Sequence, residues 1–147
     1  MKATTRFVLV DRTAGSLPGR HGLAALRAAL EGRGASAETA HIVPAASAGE
    51  VIVAGRVDDA VVRGLLAAAG AEGRSAAESL VCVRSGAALV LAGADDRGLA
   101  YALLEAADRV RTRGVEALAA IDGLAEKPEH AVRSCCRFIM GKLDDEW

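Results

Sequence analysis

The residues that could do acid–base work here are three pairs of adjacent carboxylates, Asp58-Asp59, Asp95-Asp96 and Asp144-Asp145. Acid–base catalysis by paired carboxylates needs the two groups facing each other across a cleft, which adjacency does not provide. The first two pairs stand where helices should begin, and capping explains them: Asp58 or Asp59 for one helix, Asp95 or Asp96 for another. The second pair lies in "LVLAGADDRGLAYALLEAADRV", residues 89–110, which runs from an apolar strand through glycine into a long helix. Phosphate loops share that outline. Gly93 and Gly98 even have P-loop spacing, but Leu99 and Ala100 occupy the positions that need Lys and Ser or Thr. No G-x-G-x-x-G fingerprint is present either. Two aspartates would repel a phosphate at that helix start while suiting its macrodipole. The stretch therefore predicts a capped corner, with Gly98 permitting close packing on the sheet.

Metal and nucleophile chemistry find as little support. His21, His41 and His130 form no H-E-x-x-H and no i, i+4 pair, and read as solvated surface residues. Cys82, Cys135 and Cys136 have no metal-type spacing and read as buried or free thiols; side chains of neighbours 135 and 136 on an extended run point to opposite faces. None of the serines sits in a G-x-S-x-G elbow. No catalytic residue, metal ligand or cofactor is expected. Arg133 and Arg137 in the tail could clamp carboxylates or hydroxyls, but surface charges flanking an edge strand explain them better.

The elements that would position these groups follow from patterning. At 147 residues, with 52% hydrophobic residues that are mostly small or aliphatic and only 3% aromatic, the chain suits one domain whose helices pack closely through small side chains. A net charge of −1 gives no support to bulk attraction to nucleic acid or an anionic membrane. The N-terminal apolar run of four residues is too short for a signal peptide, and no stretch approaches a membrane span.

Phe7 to Val10 predicts a first strand. From Arg20, Leu23, Leu26, Ala29 and Leu30 share a helical face, ended by Gly32 and Gly34. A short strand stopped by Pro44 follows, then the strand "EVIVAG" and a helix ending at Gly70. Residues 80–91 predict a hairpin turning at "RSGA". The long helix from about Asp96 to Arg113 buries Leu99, Leu103, Ala106, Ala107 and Val110, with "VEALAAI" as a short further helix. The fold class is α/β: a mixed sheet of about five strands with two or three helices packed on one face and parallel crossovers around the helices. Residues 1–126 form the domain. Residues 127–147 read as a linker and a lone strand, "VRSCCRFIM", which predicts that the natural chain continues.

Residues 89–110 together with "KPEHAVRSCCRF" resemble the non-catalytic N-terminal domain that precedes the barrel in α-glucuronidases and β-N-acetylhexosaminidases. The matched helix motif reads Gly93, Asp95 or Asp96, Arg97, Gly98, Tyr101, Ala102, Leu103, Ala107, Asp108 and Val110, and the sequel P-x-H-x-x-R reads Pro128, His130 and Arg133. The resemblance covers about the last third of the chain. It implies a zincin-like domain without the zinc motif, with the catalytic acids in a (β/α)₈ barrel downstream. Its partner would be that barrel, and through it carbohydrate, with Arg133 as the position that could touch the sugar. The residues after Arg133 depart from the hexosaminidase pattern. The expected role is then a non-catalytic accessory domain of a glycoside hydrolase. The rival reading, a stand-alone small-ligand or carbohydrate-binding module, requires a pocket with exposed aromatics, yet Tyr101 is expected to be buried on its helix. A third, an enzyme working through Arg133, Arg137 and the tail carboxylates, needs a cleft that the chain is too short to close.

Overall fold

The computed structural model describes residues 4–129. Their elements, in order, are β1 (Arg6–Arg12), α1 (Leu17–Gly32), β2 (Ser36–Ala40), β3 (Glu50–Arg56), α2 (Ala60–Ala68), β4 (Leu80–Ser85), β5 (Ala88–Gly93), α3 (Asp96–Arg113), a 3₁₀ turn (Val115–Ala120) and β6 (Leu124–Glu126). One mixed sheet has the order β2-β1-β3-β5-β4-β6. The pairs β1–β2, β1–β3 and β3–β5 are parallel, while β4 runs antiparallel to both β5 and β6. The expected α/β architecture is present, with β6 as a sixth strand.

Alternation along β1 shows how the sheet divides its core. Phe7 and Leu9 enter one apolar cluster with Leu26, Leu30, Leu99 and Leu103 of α1 and α3; Val8 and Val10 enter another with Val62 and Leu66 of α2. Period-2 side chains thus feed two layers. The two longest helices share one face as expected, and α2 lies on the other. Where α1 meets α3, a Cβ on Gly22 would stand 2.8 Å from Leu103 Cβ and 3.3 Å from the Ala100 carbonyl. Small residues let these helices approach, as the alanine-rich composition implied.

Local signals account for most boundaries. α1 begins at Leu17, a turn before its expected start at Arg20: Ser16 accepts a hydrogen bond from the Gly19 amide, and Pro18 sits in the first turn. Asp59, of the two candidates, caps α2 by accepting from the Val61 and Val62 amides, while Asp58 turns to Arg56. The hairpin closes Ser85 onto Ala88, with Gly86 at φ +59 in the first loop position, the site a type II′ turn reserves for glycine. His21 and His41 are exposed as expected. Tyr101 is not buried as expected: at 39% exposure it lies on the flank of α3, beside the face that carries Leu99 and Leu103.

Cys82 fits the core reading. It is buried in the cluster beneath α3, and that burial pushes its thiol up to about 12, the Arg109 charge offsetting only part of the effect. Thiolate is the reactive form. At pH 8 the native chain should therefore leave Cys82 unmodified by a maleimide, and denaturation should expose it, with peptide mass mapping separating it from Cys135 and Cys136. Modification of Cys82 in the native state at the rate of a free thiol would contradict the burial.

Candidate functional site

The Gly93–Gly98 stretch turns its corner by close backbone contact. A Cβ on Gly93 would overlap the backbone nitrogen of Leu99, and one on Gly98 would overlap the Ser79 carbonyl oxygen. The α3 start therefore lies directly on the end of β5 and against the entry to β4, which leaves no space for a phosphate. The electropositive helix end is already filled. Asp95 is the cap: its Oδ1 accepts from the Gly98 amide at 2.8 Å and its Oδ2 from the Glu78 amide at 2.8 Å. Glu78 is held at φ +59, a left-handed conformation uncommon for a residue with a Cβ. Its carboxylate meets Arg97 at 3.1 Å and the Tyr101 hydroxyl at 3.4 Å. The motif residues Asp95, Arg97, Gly98 and Tyr101 thus all serve one task, fixing the 76–79 loop onto α3.

A second grouping was not legible as a motif. β1 feeds α1 on one face and pairs with β2 on one side; on its other side stands β3, which feeds α2 on the opposite face. The strand ends of β1 and β3 therefore part around a crevice, the topological switch point at which open α/β sheets place ligands. Here it is a cleft of about 550 Å³ lined by residues 13–16 together with Arg12, Arg56, Asp58, Asp59 and Asp96. Arg12 donates to Asp59 from Nη2 at 2.8 Å and from Nε at 3.2 Å. Arg56 bridges Asp58 at 2.6 Å and Asp96 at 3.7 Å. Asp59 and its arginine are mostly shielded, their side chains 21% and 31% exposed.

Burial alone would raise the Asp59 carboxyl, but hydrogen bonds from Arg12 and the Val62 and Val61 amides, with the Arg12 charge, outweigh it and hold the group below its ordinary value. A folded-state value below the unfolded one means that Asp59 stabilises the fold above about pH 4 and loses that contribution as pH falls through the lower folded value. Asp59→Ala should lower stability by about 1–2 kcal/mol at pH 7, chiefly through the cap. The gap between variant and parent should narrow below pH 4 in urea titrations. A gap unchanged between pH 7 and pH 2.5 would show that the charge contributes nothing.

The carboxylates of this cleft are committed to arginines or helix caps, so no free acid faces a free base across it. Among the described residues no group of three or more His, Cys, Asp and Glu side chains is arranged to hold a metal ion. No described helix is long and apolar enough to cross a membrane. Of the described aromatics, Phe7 is buried and Tyr101 half exposed, and neither lines the cleft. Arg133, named as the sugar-contacting position, lies outside the described residues, as do His130, Arg137, Cys135 and Cys136.

No family model matches the chain, and no curated protein does. Solved structures share its fold. A GH138 enzyme targeting pectin rhamnogalacturonan II superposes with a TM-score of 0.57 at 16% identity, over 86% of this chain and 16% of that one. A GH115 4-O-methyl-alpha-glucuronidase with specificity for decorated arabinogalactans does so with a TM-score of 0.59 at 19% identity, over 86% of this chain and 17% of that one. At such identities the likeness is one of fold. The chain spans under a fifth of the length of either enzyme.

Proposed function

We propose that this chain is a non-catalytic accessory domain of a glycoside hydrolase, residues 1–126 packing against and supporting a catalytic (β/α)₈ barrel that follows, with residues 127–147 as the linker and the barrel's first strand. The observation that carries the reading is the fold match itself: nearly the whole chain superposes on a small part of two much larger glycoside hydrolases. The chemistry agrees. The carboxylates that sequence patterning singled out among the described residues cap helices or pair with arginine, which is structural work. Arg133 would contact sugar only with the barrel in place. Substrate and bond belong to that barrel, and the domain contributes stability to it.

The test is to express the coding sequence downstream of residue 126 with and without residues 1–126. The longer polypeptide should hydrolyse an aryl glycoside, and the 147-residue chain should hydrolyse none from a panel. Deleting residues 1–126 should lower the melting temperature of the remainder. Hydrolysis by the isolated chain, or a downstream product equally stable without the domain, would overturn the reading.

A further inference from the structure

Two hollows flank Lys127, where the chain leaves the sheet after β6. One, of about 620 Å³, lies on the α2 side; its floor of Val81 and Val83 is already buried, and its rim carries Glu72, Arg74 and Ser75. The other, of about 200 Å³, is lined by Glu78, Leu80, Tyr101, Glu126, Lys127 and Pro128. Pro128 lines the second and not the first, so the chain departs over the flank of α3. That flank is apolar where the chain passes. Tyr101 is half-exposed, and Leu104, one turn further along the same flank, is only partly buried and stands outside both core clusters. A single exposed apolar side chain is ordinary, as Ile42 is beyond β2, the strand at the opposite edge of the sheet. Tyr101 differs in having the chain exit beside it.

The length of the connection decides what covers this flank. On the accessory reading, from which this inference proceeds, the barrel's first strand begins at Val132, and only Glu129, His130 and Ala131 separate it from Pro128. Four Cα steps reach at most about 14 Å. A tether that short holds the barrel's surface against the edge from which the chain departs. Tyrosine suits such a contact, having a large apolar ring and a polar tip, and here the hydroxyl already meets Glu78 at 3.4 Å. We propose that the flank of α3 carrying Tyr101 and Leu104, together with Pro128, is the surface on which the downstream barrel docks, an apolar patch of the barrel covering the tyrosine ring. β6 is the last strand of the sheet among the described residues, and the same contact shields its outer edge.

The experiment is hydroxyl-radical footprinting of the 147-residue chain and of the longer polypeptide that its natural coding sequence specifies. Tyr101 should be oxidised about fivefold more slowly in the longer polypeptide, as expected for a side chain at the centre of an interface, with Ile42 unchanged. Tyr101→Lys, which gives Glu78 a cation, should leave the melting temperature of the 147-residue chain within about 2 °C, since the position is half-exposed. In the longer polypeptide the same variant should restore the oxidation of Leu104 to its rate in the 147-residue chain. Slowing at Ile42 in place of Tyr101, or Leu104 still protected in Tyr101→Lys, would overturn the assignment of this surface. A longer polypeptide that hydrolyses the aryl glycoside yet leaves Tyr101 as reactive as in the 147-residue chain overturns the docking surface alone and leaves the accessory reading standing. A coding sequence that stops shortly after Trp147 overturns both.

Discussion

Gly93→Ala should destabilise the domain by about 3–5 kcal/mol, lowering its melting temperature by roughly 10 °C or more. The added Cβ would overlap the Leu99 nitrogen, a backbone atom in the first turn of α3 that cannot rotate away as a side-chain tip can. Relief requires moving α3 off β5. Leu99, Leu103, Ala106 and Val110 would move with it, all fully buried in the cluster shared with α1 and the sheet. The companion change is Gly64→Ala in the middle of α2, where a Cβ meets nothing within 4 Å. There the same substitution should raise stability by about 0.5–1 kcal/mol, because alanine loses less backbone freedom on folding. Urea denaturation of both variants separates the two effects. Equal stabilities would show that α3 does not sit on the end of β5.

Asp95→Ala should cost about 2–3 kcal/mol, more than an ordinary cap, because one carboxylate serves two backbone donors at once. Without it the Gly98 amide loses its cap and the Glu78 amide its acceptor, and Glu78 is the residue held at φ +59. Amide exchange should accelerate at Glu78 and Gly98 together. Asp95→Asn, with one carbonyl oxygen and no charge, should fall between. Asp96→Asn should change stability by less than about 0.5 kcal/mol, since the long contact to Arg56 is half exposed. If Asp96 proved the costlier of the two, the assignment of the cap would be wrong.

The strands and helices were legible where one local pattern carried them. The period of Leu99, Leu103, Ala106 and Val110 marked α3, and its aspartates and glycines marked the corner before it. The P-loop-like glycine spacing lacks the Lys and Ser or Thr of a phosphate site, and the Asp95 carboxylate takes the Gly98 amide at the helix start. What local pattern could not show depends on residues far apart in the chain. β6 is three residues without alternation, and it exists because Leu80, Val81 and Cys82 of β4 present an edge to pair with it. The start of α1 was missed although Ser16 with Pro18 is a recognisable opening signal. The cleft was invisible because residues 12–16, 56–59 and 96 meet only once the strand order is fixed.

The proposal that the domain supports chemistry performed elsewhere agrees with this structural use of its described acids. Asp59 and Asp95 each hold backbone amides, and Asp58 holds Arg56, an arrangement that orders the loops around them. The measurement that tests this account most directly is the size of the native polypeptide, read by immunoblot of the source cells and medium with an antibody raised against this chain. The account predicts a species several times the 15.0 kDa of these 147 residues, with glycosidase activity co-purifying with it. A single 15 kDa species without such activity would contradict the account.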